Sequence, residues 1–137
     1  MTVTTRASSS VLILSDQPMI AALLGMLVEL VGYRPVFAAY DERPEDAMRR
    51  VRPALVVLVD GTLDVIRSDL FFARAAQHRC ALAIFGPEDR RQELAATAEA
   101  RGITWFTLPL EGPELRRHIE AAARTEWWSN PARATRR

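Results

Sequence analysis

In the stretch Val11-Leu12-Ile13-Leu14-Ser15-Asp16, four apolar residues are followed by a serine and an aspartate. A similar pattern recurs at Ala54-Leu55-Val56-Val57-Leu58-Val59-Asp60, where six apolar residues are followed by an aspartate. Apolar runs without alternation are typical of strands that are buried on both faces, as in a parallel sheet covered by helices. The two runs therefore predict two internal strands, each followed by a polar group at its carboxyl end.

Strand and helix patterns alternate along the rest of the chain. Short apolar runs bounded by Ser, Asp, Gly or Pro predict strands over residues 11–14, 35–40, 54–59, 81–85 and 103–108. Apolar positions at helical spacing predict helices over residues 18–31, 44–52, 65–78, 88–101 and 113–124. This alternation predicts a doubly wound α/β fold in three layers (αβα), with helices on both faces of a five-stranded parallel sheet.

The domain is expected to span residues 11–124, between a disordered leader at 1–10 and a C-terminal tail at 125–137. Within the tail, Trp127-Trp128 is interpreted either as packing onto the core or as part of an oligomer contact. The two histidines, His78 and His118, lack acidic neighbours at ligand spacing and are expected at the surface.

Composition excludes several classes of function. The 137 residues suit one domain, and a net charge of +1 argues against nucleic acid or an anionic membrane as the main partner. A single cysteine, Cys80, excludes an internal disulfide and a cysteine-based zinc site. The N-terminus lacks the apolar core of a signal peptide, and the longest apolar run, Met19–Val28, is too short to span a bilayer. We therefore expect a cytoplasmic protein.

Ligand sites in open parallel sheets lie at the carboxyl ends of the strands. Here those ends are Ser15-Asp16, Asp60-Gly61, Gly86 and Leu108-Pro109. The glycines form neither a dinucleotide-binding fingerprint nor a Walker A loop, so nucleotide sites are unsupported. A different small ligand at the strand ends stays open, because a fold does not determine a function.

From about Val11 to Arg124 the sequence resembles the receiver domain of two-component response regulators, which has a flavodoxin-like fold. The resemblance rests on VLILSDQP at 11–18, RPALVVLVD at 52–60, and WFTLP at 105–109 followed by an acidic helix start. Asp16 and Asp60 are 44 residues apart and Gly86 and Leu108 are 22 apart, close to the family spacings.

The resemblance implies phosphoryl transfer from a histidine kinase to Asp60, with Mg²⁺ held by Asp16 and Asp60. It also implies a cis peptide before Pro109. Three of the five parts that the family uses are replaced: Ser15 stands at an acidic position, Gly86 at the hydroxyl position and Leu108 at the lysine position. All 18 basic residues are arginine, so no lysine elsewhere can substitute.

The free energy lost with the missing hydroxyl and ammonium can be estimated. A hydrogen bond to a charged group contributes about 1.5–3 kcal/mol, so losing two removes roughly 3–6 kcal/mol of coupling between phosphate and conformation. Driving a two-state switch almost completely takes about 5.5 kcal/mol. A phosphorylated Asp60 would retain little free energy with which to change the conformation.

The first hypothesis is therefore a degenerate receiver (pseudo-receiver), a non-enzymatic signalling module that binds protein without phosphorylation. No cofactor is expected. The partner would be a signalling protein or a second copy in a homodimer, and neither nucleic acid nor membrane is expected. The resemblance implies a contact face formed by the fourth helix, the fifth strand and the fifth helix. Here that face carries arginines and a tryptophan, which are typical interface anchors: Arg90, Arg91, Trp105, Arg116 and Arg117.

Alternatives stay open at Asp60. It is interpreted either as an acceptor that is still phosphorylated, with weak Mg²⁺ binding, or as a carboxylate that caps a turn. A register counted from Pro53 would instead place Val59 at the acceptor position and turn Asp60 away, because side chains alternate along a strand. Asp16 is likewise either a metal ligand or a turn residue.

Overall fold

A computed structural model, which describes residues 9–129, contains one parallel five-stranded sheet. The strand order is β2-β1-β3-β4-β5, with the change of direction at β1 and β3. The predicted doubly wound fold is confirmed. The strands are β1 (Ser10–Leu14), β2 (Arg34–Phe37), β3 (Val56–Asp60), β4 (Leu82–Pro87) and β5 (Thr104–Leu108).

Five helices connect and follow the strands: α1 (Pro18–Leu30), α2 (Pro44–Arg50), α3 (Asp69–Gln77), α4 (Arg91–Glu99) and α5 (Gly112–Arg124). Short 3₁₀ turns lie at Asp64–Arg67, Glu88–Arg90 and Trp127–Ser129. Between residues 9 and 129, none of the helices combines the length and the apolar composition needed to cross a bilayer.

Alternating side chains of the sheet divide the core into two layers. On one face, Ile13 and Leu58 pack with Leu24 of α1 and Leu115 of α5. On the other face, the residues between them in the strands pack against α2, α3 and α4, with Phe71 and Phe72 among the largest buried side chains. Because β1 and β3 are buried on both faces, their apolar runs need no polar alternation.

Several element boundaries differ from the predictions. The helix predicted over 65–78 is divided, because Ser68 is extended and its hydroxyl accepts a hydrogen bond from the Phe71 amide, which caps α3. The helix predicted over 88–101 begins as a 3₁₀ turn, and β2 ends at Phe37 rather than at residue 40. β1 begins at Ser10, one residue inside the predicted leader, and residues 1–8 lie outside the described part.

Two apolar side chains of the helices are exposed. Leu23 of α1 is 43% exposed and Leu70 of α3 is 56% exposed. His118, predicted at the surface, is half-buried and stacks on Phe106 with ring centroids 5.0 Å apart, and this burial lowers its pKa. His78 is exposed as predicted and accepts a hydrogen bond from Arg52.

The segment after α5 packs back onto the domain. Trp127 is 3% exposed, its Nε1 donates to the Cys80 carbonyl at 2.8 Å, and its ring meets Phe72 edge-on at 6.2 Å. Of the two interpretations of Trp127-Trp128, packing onto the core is therefore the one that the structure shows. Residues 130–137, with their arginines, lie outside the described part.

We predict that Trp127→Ala lowers the free energy of unfolding by about 3–5 kcal/mol, because it removes a fully buried aromatic ring and leaves a cavity. Urea unfolding followed by circular dichroism measures this loss. Trp128→Ala is the matched control and is expected to cost less, because Trp128 is only partly buried. Equal losses for the two variants would contradict the packing described here.

Candidate functional site

The site forms where the two central strands end side by side. β1 and β3 are paired from Val11 opposite Val56 to Leu14 opposite Val59, so Ser15 and Asp60 follow at the same edge of the sheet. The Asp60 side chain is only 2% exposed although it belongs to the last residue of β3. A carboxylate buried to this extent requires hydrogen-bond partners.

Both oxygens of the Asp60 carboxylate accept hydrogen bonds. The Ser15 hydroxyl donates to Oδ2 at 2.8 Å. The Thr62 amide and the Thr62 hydroxyl donate to Oδ1 at 2.9 and 2.8 Å. All three donors are neutral. Through these hydrogen bonds the Asp60 carboxylate stabilises the turn after β3 and connects it to the loop after β1.

The register counted from Pro53 is wrong. Val59 is fully buried in the layer that faces α2, α3 and α4. Asp60, the next residue, lies beside Ser15 at the end of the sheet. Of the two residues, Asp60 is therefore the one whose side chain lies at the end of the sheet beside β1.

Asp16 and Asp60 carry the two carboxylates that are predicted to hold Mg²⁺. Mg²⁺ takes an octahedral set of oxygen ligands that includes one or two carboxylates and several waters. Asp16 is exposed, and Ser15 presents a hydroxyl where a second acid would stand. In the part of the chain that the structure describes, no three His, Cys, Asp or Glu side chains converge as a metal site.

Four predicted pocket residues meet in one cleft of about 310 Å³: Asp60, Gly86, Leu108 and Pro109. The cleft is also lined by Ile20, Leu23 and Phe85, so most of its wall is apolar. Leu108 packs against the α1–α5 layer of the core, and the peptide bond between Leu108 and Pro109 is cis, as the resemblance implied. The structure therefore places an aliphatic side chain, rather than a cation, in the cleft that Asp60 also lines.

A neighbouring cleft of about 200 Å³ contains the arginines nearest the site. Gly61, Thr62 and Gly86 form part of its wall, and Arg67 and Arg90 line it as well. The Arg90 guanidinium is paired with Glu93 at 3.2 Å. Neither arginine donates to Asp60, whose bonds come from Ser15 and Thr62.

A polar network that the sequence analysis missed joins the loop after β4 to α4 and β5. Arg91 donates to both carboxylate oxygens of Glu88, at 2.7 and 3.0 Å, and to the Thr107 hydroxyl at 3.1 Å. The Thr107 hydroxyl in turn donates to Glu88. The Arg91 guanidinium also lies over the Trp105 ring, 5.3 Å from its centroid.

Only part of this network had a sequence signal. The three-residue spacing of Glu88 and Arg91 is typical of an ion pair on a helical turn. Thr107 lies 19 residues beyond Glu88, and only the pairing of β4 with β5 brings it close. The hydrogen bonds from Arg91 and Thr107 lower the pKa of Glu88 from 4.5 to about 2.

The predicted contact face is distributed over several elements. Arg90 and Arg91 lie at the start of α4, Trp105 is half-buried on β5, and Arg116 and Arg117 are exposed on α5. Arg91 is engaged in the network with Glu88, whereas both arginines of α5 point into solvent.

We predict that Gly61→Ala destabilises the domain by roughly 1–3 kcal/mol, because overpacking in a close-packed region displaces its neighbours. A Cβ at position 61 would lie 2.8 Å from the Leu94 Cδ1 and 3.2 Å from the Phe85 carbonyl oxygen. Gly86→Ala is the control, since its Cβ would meet Leu94 at an ordinary 3.6 Å. Chemical unfolding measures both variants, and a more costly Gly86→Ala would contradict this geometry.

We predict that Glu88 titrates with a midpoint of about 2 in the folded protein, and that Arg91→Gln moves this midpoint toward 4.5. Because the folded pKa is depressed, the network stabilises fully above pH 4.5 and loses its contribution as the pH falls toward 2. Side-chain carboxyl chemical shifts report the titration. An ordinary midpoint in the unsubstituted protein would show that the network does not persist in solution.

Comparison with known proteins supports the architecture. No protein-family model and no curated protein matches this sequence. Solved structures do match. A response regulator receiver domain protein from Clostridium thermocellum has a TM-score of 0.65 and 16% identity, covering 83% of this chain and 93% of that chain.

Two further structures match over a similar extent. The N-terminal signal receiver domain of a two-component response regulator from Bacteroides fragilis has a TM-score of 0.66 and 11% identity, covering 85% of this chain and 97% of that chain. A structure described as adenylate cyclase from Rhodopirellula baltica has a TM-score of 0.63 and 10% identity, covering 89% and 90%. At these identities the similarity establishes architecture, and the chain has the fold of response regulator receiver domains.

Proposed function

We propose that this protein is a degenerate receiver that acts in signal transduction by binding a protein partner and does so without phosphorylation. The observation that carries the proposal is the state of Asp60. Its two oxygens accept hydrogen bonds from Ser15 and Thr62, while the adjoining cleft presents Leu108. The aspartate then acts as a structural cap and not as a nucleophile.

The surroundings of Asp60 lack two of the groups that receivers use in phosphoryl transfer, the hydroxyl after β4 and the lysine after β5. Negative charge gathers on the transferred oxygens in the transition state, so cations and hydrogen-bond donors around them supply most of the catalysis. Leu108 supplies neither, and Gly86 has no side chain. Arg90 and Arg91 are paired with Glu93 and Glu88. A phosphoryl group on Asp60 would meet few compensating charges.

The network around Glu88 supports a single resting conformation. It joins the loop after β4 to Arg91 of α4 and to Thr107 of β5, through hydrogen bonds that need no phosphate. A ligand shifts a conformational equilibrium only by its difference in affinity for the two states. With the internal network in place and the phosphate-binding groups replaced, this segment keeps one arrangement.

The arginine-rich face offers a surface for a protein partner. Arg116 and Arg117 present exposed guanidinium groups on α5, and Arg91 lies over the half-buried ring of Trp105. Arginine and tryptophan are enriched among residues that dominate binding energy. The charge of this face suits a partner with an acidic surface, whose carboxylates would pair with the guanidinium groups.

The alternative function is a receiver that is still phosphorylated on Asp60, and one observation favours it. Asp60 lies at the expected strand end and lines the cleft beside Leu108. A phosphoryl group could approach through this opening. The two functions differ in their response to a phosphoryl mimic.

We predict that Mg²⁺ with beryllofluoride, which mimics a phosphoryl group, produces no saturable change in this protein. The reason is that three of the five groups that would bind the mimic and the metal are replaced. Tryptophan fluorescence and amide chemical shifts report the titration, because Trp105 lies on the strand that ends at Leu108. A saturable change that Asp60→Asn abolishes would establish the alternative function instead.

A restored variant serves as the positive control. It combines Ser15→Asp, Gly86→Thr and Leu108→Lys, which return the acid, the hydroxyl and the ammonium. A Cβ at position 86 would make only ordinary contacts with Leu94, so the backbone accepts a larger residue there. A response in this variant, together with silence in the unsubstituted protein, would assign the loss of switching to the three replaced groups.

A further inference from the structure

Helix α1 is apolar on the side that faces solvent as well as on the side that faces the core. Its inner side buries Leu24 and Val28. Its outer side carries Met19, Leu23, Met26 and Leu30, which are 84, 43, 63 and 76% exposed. Glu29 is the one charged residue in the helix. A helix that is apolar on all sides is normally buried on all sides. We therefore expect another protein surface to cover the outer side of α1.

The spacing of the outer residues suits another helix. Positions 19, 23, 26 and 30 are separated by four, three and four residues, which is the seam spacing of paired helices. Side chains at this spacing form a straight row into which a second row interlocks, with helix axes about 8–10 Å apart. A flat or irregular partner surface would leave gaps along such a row.

We infer that α1 pairs with α1 of a second copy of this chain, antiparallel across a twofold axis. In this arrangement Met19 meets Leu30 of the second copy and Leu23 meets its Met26, so every residue of the row has a partner. A twofold interface requires one patch to be complementary to itself, and an uncharged row of flexible side chains meets that requirement.

The exposed apolar area of this surface is large enough for a specific interface between two copies. Phe37 of the edge strand β2, itself 43% exposed, extends the row across the surface. The exposed fractions of the five residues correspond to roughly 600 Å² per copy, or about 1,200 Å² in a pair, the lower end of the range for specific interfaces. An exposed apolar patch of several hundred Å² is itself typical of an interaction site.

Repulsion between the two Glu29 carboxylates favours the antiparallel over the parallel orientation of the two helices. In a parallel pair the two Glu29 carboxylates would lie side by side and repel each other. In an antiparallel pair centred between Leu23 and Met26 they lie roughly 13 Å apart along the helix axis, beyond the distance at which physiological salt screens exposed charges.

Helix α1 and the edge strand β2 contact each other directly beneath the apolar patch. A Cβ at position 25 would lie 2.5 Å from the Phe37 Cζ, so the absence of a side chain at Gly25 lets the ring lie directly on α1. Helix and edge strand thus form one surface. Leu23 also lines the cleft beside Leu108, so the patch continues into the apolar wall of the site.

The inference does not depend on the proposed function, because it uses α1 and β2 rather than the arginine-rich face. The α1 row and the Asp60 cleft share only the Leu23 side chain, and the other residues of the row lie outside that cleft. The two proposals are therefore tested by different measurements.

The test is sedimentation equilibrium of the full chain from micromolar to near-millimolar concentration. We expect a reversible monomer–dimer equilibrium that Met26→Glu weakens by roughly tenfold or more, because each dimer would then bury two carboxylates at its centre. Leu70→Glu is the matched control. Leu70 is similarly exposed, at 56%, but lies on α3, so this variant should dimerise like the unsubstituted protein.

Circular dichroism and tryptophan fluorescence establish that each variant is folded, and Leu30→Glu replaces Met26→Glu if the latter unfolds. A monomer at every concentration would overturn the inference, even if another protein were later found to bind α1. A dimer that Leu70→Glu disrupts, and that both α1 variants leave intact, would also overturn it.

Discussion

The burial of β1 and β3 on both faces is the constraint on which the rest of the structure depends. Their side chains are apolar in both directions, so helices must cover the sheet on both sides. The parallel pairing of these strands then places their carboxyl ends together, which brings the Ser15 hydroxyl to the Asp60 carboxylate. A buried carboxylate with neutral donors is thus a direct consequence of the pairing at the centre of the sheet.

Around this carboxylate, the chain presents apolar contacts and internal hydrogen bonds. Leu108 packs against the core at the cleft that Asp60 lines, and Thr62 supplies two of the three hydrogen bonds to Asp60. On the adjacent strands, Glu88 and Thr107 satisfy each other and Arg91. These groups therefore need no outside ligand, and under the proposed function the module acts as a fixed surface.

The two proposed contact surfaces differ in the way they hold a partner. The face that contains Arg116 and Arg117 presents charge on long, flexible side chains, which favours recognition of acidic groups and depends on salt. The outer row of α1 presents exposed apolar area, which favours self-association through the hydrophobic effect. A domain with one of each can self-associate through α1 and still bind a second protein through α5.

The order and type of the elements could be predicted from the sequence, because unbroken apolar runs and helical spacing are local properties of the chain. The positions of Asp60 and Leu108 at strand ends follow from the same runs. The break at Ser68 was not predictable, since a capping hydroxyl competes with helical periodicity, and the bond between Glu88 and Thr107 required strand pairing across 19 residues. An evenly apolar helix has no pattern that shows which side faces inward. Only tertiary packing decided that Leu24 is buried while Leu23 is exposed, because a side chain is buried by its neighbours in space and not by its own hydrophobicity.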